Sequence, residues 1–163
     1  MEAEAAPKIA TRGVLSFNVG NICLGARVEE VSGLLDAERI APLPRQMDGL
    51  VGVVAFRGEM VPVLDLASYL GVDVPRAASA RYAVVLGRGA DRFGVLVPEL
   101  PRLLHPRDLG DAELSTTDPE LGALIASVYQ AEGRSVHCLN YLHIFDSIMP
   151  AATSSATGSR AHR

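Results

Sequence analysis

Apolar and polar residues alternate with a period of two through much of the chain. Leu15, Phe17 and Val19 alternate with Ser16 and Asn18, the pattern of a half-buried strand. Gly20-Asn21 separates this run from Ile22, Leu24 and Ala26, so the spacing predicts a tight hairpin. A similar unit recurs later. Tyr82, Val84 and Leu86 make one face of a strand, Gly87 to Asp91 make a turn, and Phe93 to Val97 return. The pattern describes two analogous β-rich halves.

Between these hairpins, Leu50 to Phe56 is nearly continuous in apolar residues, as expected of a strand buried on both faces. Arg57-Gly58-Glu59 breaks it with a turn, and Met60 to Leu64 is a second strand. Pro62 lies inside it and has no N–H for a ladder, so it is expected at an edge or a bulge. Asp65 suits a helix N-cap, with Leu66, Tyr69 and Leu70 on one face and Gly71 as the stop. His105 to Pro119 is polar and reads as a loop. Gly122 to Gln130 and Ser135 to Asn140 read as strands around Glu132-Gly133-Arg134, and Tyr141 to Ile148 as a closing helix with Leu142, Phe145 and Ile148 aligned. About nine or ten strands and two short helices describe a mainly-β protein built from barrels.

Composition narrows the classes. A chain of 163 residues, 48% hydrophobic and 21% charged, is long and apolar enough to bury its own core. Net charge −4 argues against a nucleic-acid groove. Residues 1–13 and 150–163 lack periodicity and read as tails, leaving a folded part from 14 to 149. The acidic start lacks the basic-then-apolar order of an export signal, and the longest apolar stretch, Leu50 to Phe56, is far short of a spanning helix. A reducing, cytoplasmic setting without membrane insertion is the expectation.

Reactive chemistry is thin. His137, Cys138 and His143 are near one another, but their spacing matches no tight metal-ligand pattern, and a strand would point His137 and Cys138 to opposite faces. Cys23 and Cys138 sit in apolar runs where an inert buried thiol is the common case. No G-x-S-x-G elbow is present, and Gly87-Arg88-Gly89 lacks the remainder of a phosphate loop. No metal or cofactor is expected, and the balance favours a binding or scaffolding role over catalysis.

Gly52, Arg57, Gly58, Pro62, Asp65 and Leu66 fill a G-x-x-x-x-R-G-x-x-x-P-x-x-D-L pattern, preceded by Ile40-Ala41-Pro42-Leu43-Pro44 and followed by Phe93-Gly94-Val95-Leu96-Val97. This arrangement resembles the CheW-like chemotaxis coupling proteins over about Val14 to Met149. The resemblance implies two small five-stranded β-barrels sharing a hydrophobic interior. It also implies a non-catalytic adaptor that couples a chemoreceptor cytoplasmic tip to the regulatory domain of a CheA-type histidine kinase, in a flagellar or a pilus pathway. By the same resemblance Arg57 and Val31 are candidate partner contacts, with a turn clamp and core burial as their respective alternatives. Gly52, Gly58, Pro62, Asp65 and Gly94 are structural positions of the motif. Two departures stand out: Gly33 replaces a carboxylate common in the family, and Pro98-Glu99 replaces the usual residues after the second-half strand. A rival of another class is a small-ligand or enzymatic barrel, which would show a polar cavity where an adaptor shows a filled apolar core.

Overall fold

The computed structural model describes residues 12–47, 49–71, 80–115 and 118–148. The tails expected at 1–13 and 150–163 lie outside these residues but for Arg12 and Gly13. Twelve strands form two six-stranded sheets. The strands are β1 (Val14–Val19), β2 (Ile22–Arg27), β3 (Val31–Asp36), β4 (Ala41–Met47), β5 (Leu50–Phe56), β6 (Glu59–Leu64), β7 (Tyr82–Leu86), β8 (Phe93–Val97), β9 (Arg102–Leu104), β10 (Gly110–Ala112), β11 (Ile125–Ala131) and β12 (Arg134–Leu139). Three short helices accompany them: α1 (Leu66–Leu70), α2 (Pro119–Leu124) and α3 (Tyr141–Ile148).

The sheets run β9-β1-β2-β12-β11-β10 and β3-β7-β8-β6-β5-β4. The two orders correspond strand for strand. Each half of the chain supplies a hairpin, a strand, a 3-10 turn, a further strand, a second hairpin and a helix. Each sheet takes its first hairpin from one half and its other four strands from the other half. The parallel joints correspond as well: Cys138 lies beside Gly25 in one sheet, and Val63 beside Gly94 in the other. Asp65 and Asn140, two residues beyond Val63 and Cys138, accept bonds from backbone N–H groups of the helices they precede. The two analogous halves expected from the alternation are present, but they exchange hairpins rather than folding separately.

The second sheet is strongly curled. In a flat sheet β3 and β5, four strand positions apart, would lie about 19 Å from one another. Yet a Cβ on Gly33 of β3 would stand 2.7 Å from Cε1 of Phe56 at the end of β5. Each curled sheet therefore has a small core of its own. One holds Val14, Cys23, Leu104, Ala131, Val136 and Cys138; the other holds Val54, Phe56, Val61, Val63 and Val85. The larger third core joins the sheets through Phe17, Leu24, Leu64, Leu66, Val84, Phe93, Val95 and Ile144, among others. Two barrels with a shared interior are thus the right description, with six strands each instead of five.

Several local expectations are corrected. β5 is not buried on both faces: Ala55 is exposed and Val53 only half-buried. It neighbours the edge strand β4, away from the shared core, whereas β2, β7 and β8 divide alternate residues between two cores. Pro62 lies on an interior strand, yet pairing with β8 registers only Val63 and Leu64, so the proline stands just outside that ladder. The segment read as a loop from His105 contains a 3-10 turn and β10, and α2 occupies residues assigned to a strand. On α3 the buried residue is Ile144, flanked by Tyr141, Phe145 and Ile148, while Leu142 is 50% exposed.

Candidate functional site

The motif from Gly52 to Gly71 folds as its residue types require. Gly52 is buried where β4 crosses β5, and a Cβ there would stand 2.5 Å from the Ala41 carbonyl oxygen. The Asp65 carboxylate accepts from the Ala67 N–H at 3.1 Å, and Gly71 closes α1 at φ +72°. Gly94 packs against Val63 at the parallel joint between β6 and β8, where an added Cβ would lie 3.4 Å from a Val63 methyl.

The hairpin between β5 and β6 turns on two residues, Arg57 at φ +50° and Gly58 at φ +82°. Positive φ at both central positions is the geometry that matches the strand twist, and glycine satisfies it without strain. Arg57 does not. Among described non-glycine residues only Glu132, in the corresponding hairpin of the other sheet, shares the left-handed conformation. The cost of holding an L-residue there is about 1 kcal/mol. The result is an exposed guanidinium at the tip, lying 4.9 Å from the Phe56 ring centroid.

Arg57 also reaches β3, donating from Nη2 to the Ser32 carbonyl at 3.5 Å. Val31, the residue before Ser32, is half-buried and packs against the shared core. The fold therefore brings Arg57 to the segment that starts at Val31. The Ser32 hydroxyl donates to the Gly87 carbonyl, tying this segment to the turn after β7.

The absence of a carboxylate at Gly33 has a packing reason. The Phe56 ring occupies the space a side chain would take, with Cε1 and Cζ at 2.7 and 2.8 Å from a would-be Cβ. A second guanidinium, that of Arg92, lies 5.3 Å from the same ring centroid and contacts the Glu59 carboxylate at 3.4 Å. Phe56, Glu59 and Arg92 were not foreseen as site residues. Arg92 reaches the hairpin only because β8 lies parallel to β6, a long-range pairing with no local sign. Phe56 carried a weak sign, continuing the alternation Gly52, Val54, Phe56 into the turn.

Of the remaining candidates the two cysteines are buried, His137 is half-buried and His143 is exposed. Burial pushes the Cys138 thiol up to about 12, and the Cys23 thiol is also raised by burial. His137 Nδ1 lies 3.1 Å from the Cys23 carbonyl oxygen. Every fully buried side chain among the described residues is apolar, as expected of an adaptor's core.

Comparison with known proteins agrees with this geometry. The chain is 24% identical to the chemotaxis protein CheW of Thermotoga maritima over 136 residues, covering 83% of this chain and 88% of that one. It is 26% identical to the protein PilI of Pseudomonas aeruginosa over 119 residues, covering 72% and 67%. Identity with the protein FrzA of Myxococcus xanthus rises to 44%, but over 54 residues, about a third of each chain. The crystal structure of the scaffolding protein TtCheW from Thermoanaerobacter tengcongensis superposes with a TM-score of 0.62 at 15% identity, covering 80% of this chain and 90% of that one. The family model of the CheW-like domain matches residues 13–149, and with the motif from Gly52 to Asp65 at the tip and base of one hairpin, this chain belongs to the CheW-like family.

Proposed function

We propose that this protein couples chemoreceptor cytoplasmic tips to the regulatory domain of a CheA-type histidine kinase in a cytoplasmic signalling array. Proteins of its family are non-catalytic scaffolds, and an interior in which every fully buried residue among the described ones is apolar suits one. The observation that carries the partner-binding reading is Arg57. Arg57 is a cation in a strained backbone conformation, exposed, and joined to the fold by one long hydrogen bond and its stacking on the Phe56 ring, with no carboxylate partner among the described residues. Its geometry supports contact with a partner in preference to a turn clamp. Val31 lies one residue from the carbonyl that Arg57 contacts and is half-buried against the shared core, so a role in the contact falls to the part of it that stays exposed.

Coupling of this kind works by geometry. One patch holds the receptor, another holds the kinase, and each buries on the order of 400–800 Å² per side, as reversible contacts do. Receptor state then biases the kinase through packed interfaces. The test is a pull-down of purified protein with receptor cytoplasmic fragments and kinase from the same cell. Capture of both supports the reading; capture of neither overturns it. Arg57→Glu is expected to stay folded and to weaken receptor binding by about 2 kcal/mol or more. Loss of folding in that variant would make Arg57 a clamp.

A second reading keeps the fold and changes the output to a pilus or other non-flagellar pathway. The Phe56 ring leaves position 33 without a carboxylate, and a surface charge of that kind bears on partner choice more than on the fold. A chromosomal neighbourhood of pilus genes would select this reading, and one of flagellar genes the first.

A further inference from the structure

Phe56 carries two cations. The guanidinium carbons of Arg57 and Arg92 lie 4.9 and 5.3 Å from its ring centroid. Each gains from the negative ring face, but two like charges on one ring also repel, so the cluster presents a positive potential. Its anionic compensation among the described residues is slight. The carboxylate that reaches it is Glu59, by one contact of 3.4 Å to Arg92 Nη1, and the Glu59 side chain is 54% exposed. Besides the Phe56 ring, Arg57 meets a carbonyl oxygen and no carboxylate among the described residues. The Nε of Arg92 is buried and has no hydrogen-bond partner. Position 33 of β3 adds no carboxylate, because the Phe56 ring fills the place of a Gly33 side chain.

We infer that Phe56, Arg57 and Arg92 form a receptor for a carboxylate side chain of the protein partner, with Arg92 as a second contact residue beside Arg57. Guanidinium forks match the two oxygens of a carboxylate, and the aromatic platform fixes their planes in advance. Glu59 occupies part of the site in the free protein and yields Arg92 to the incoming acid. The inference rests on the adaptor reading and specifies what the receptor-side partner must bring: an Asp or Glu at the contact.

The experiment measures binding of receptor cytoplasmic fragments from the same cell to the full chain, at low and high salt. The unaltered protein is compared with Arg57→Gln, Arg92→Gln and Glu59→Gln. Each arginine variant is expected to weaken binding about tenfold or more and to flatten its salt dependence. Glu59→Gln, whose own side chain is 54% exposed although its partner Arg92 is 15% exposed, is expected to tighten binding about threefold, because it removes the internal competitor, with a urea unfolding curve checking that the variant stays folded. A structural clamp would not give that gain. Unchanged affinity in both Arg92→Gln and Glu59→Gln, with Arg57→Gln weakened, overturns the inference and leaves the adaptor reading intact. Competition by inorganic phosphate, but not by acetate at equal ionic strength, would assign the site to a phosphate group and also overturn it. Failure of the unaltered protein to bind any receptor fragment or kinase would instead remove the adaptor reading on which the inference rests.

Discussion

Gly33→Ala tests the packing of the Phe56 ring on position 33. The new Cβ would meet Phe56 Cε1 and Cζ at 2.7 and 2.8 Å, closer than carbon atoms approach without displacement. The ring cannot swing freely, because Phe56 is 8% exposed and packed with Val54, Val61, Val63 and Val85. Overpacking of this kind costs about 1–3 kcal/mol. Against it stands a gain of about 0.4–1 kcal/mol, since Gly33 does not occupy the left-handed region and alanine restricts the unfolded chain. The net is a destabilisation of up to about 2.5 kcal/mol, centred on about 1.3, from the difference of those two effects. Leucine at 56 lacks the two clashing atoms. In a Phe56→Leu background the overpacking vanishes and only the backbone gain remains, so Gly33→Ala should then be neutral or stabilising. Urea unfolding of the four proteins reads this directly, as a midpoint that falls in one background and holds or rises in the other with unchanged slope. The same loss in both backgrounds would refute the claim that the Phe56 ring is what excludes a side chain from position 33.

Asp65→Ala removes the cap of α1, whose carboxylate accepts from the Ala67 N–H and the Ser68 hydroxyl; a loss of about 1 kcal/mol in thermal or urea unfolding is expected. Stability should also fall at alkaline pH. Burial raises the Cys138 thiol from 9 to about 12, so the native state keeps a proton that the unfolded chain loses. The contribution is complete below pH 9 and is lost as pH rises towards 12. Unfolding midpoints across that range should decline more steeply for the unaltered protein than for Cys138→Ala, and equal slopes would show that the thiol is not the group responsible.

The motif from Gly52 to Gly71 was legible because each of its residues answers a local demand. Asp65 caps, Gly71 stops, Gly58 turns, and none needs a distant partner to be recognised. The hairpins were legible for the same reason, through their alternation and their two-residue breaks. Burial of both faces was harder to read. Continuous apolar residues from Leu50 to Phe56 suggested a central strand, yet β5 lies next to an edge, while β2 with its modest Ile-Cys-Leu-Gly-Ala run is buried on both faces between β12 and β1. Apolar content reports what a strand can bury, and its neighbours decide what it does bury.

By itself the sequence determined a mainly-β chain of two like halves, an Arg-Gly turn joining two strands, and a poverty of reactive groups. Those features follow from residue-level preferences acting over a few positions. Tertiary structure alone decided that the halves exchange hairpins, that Arg92 joins Arg57 on one aromatic ring, and that Gly33 must stay bare beneath it. Each of these depends on parallel pairing and sheet curling between segments far apart in the chain, and such contacts are set by packing of the whole domain, which no local period encodes.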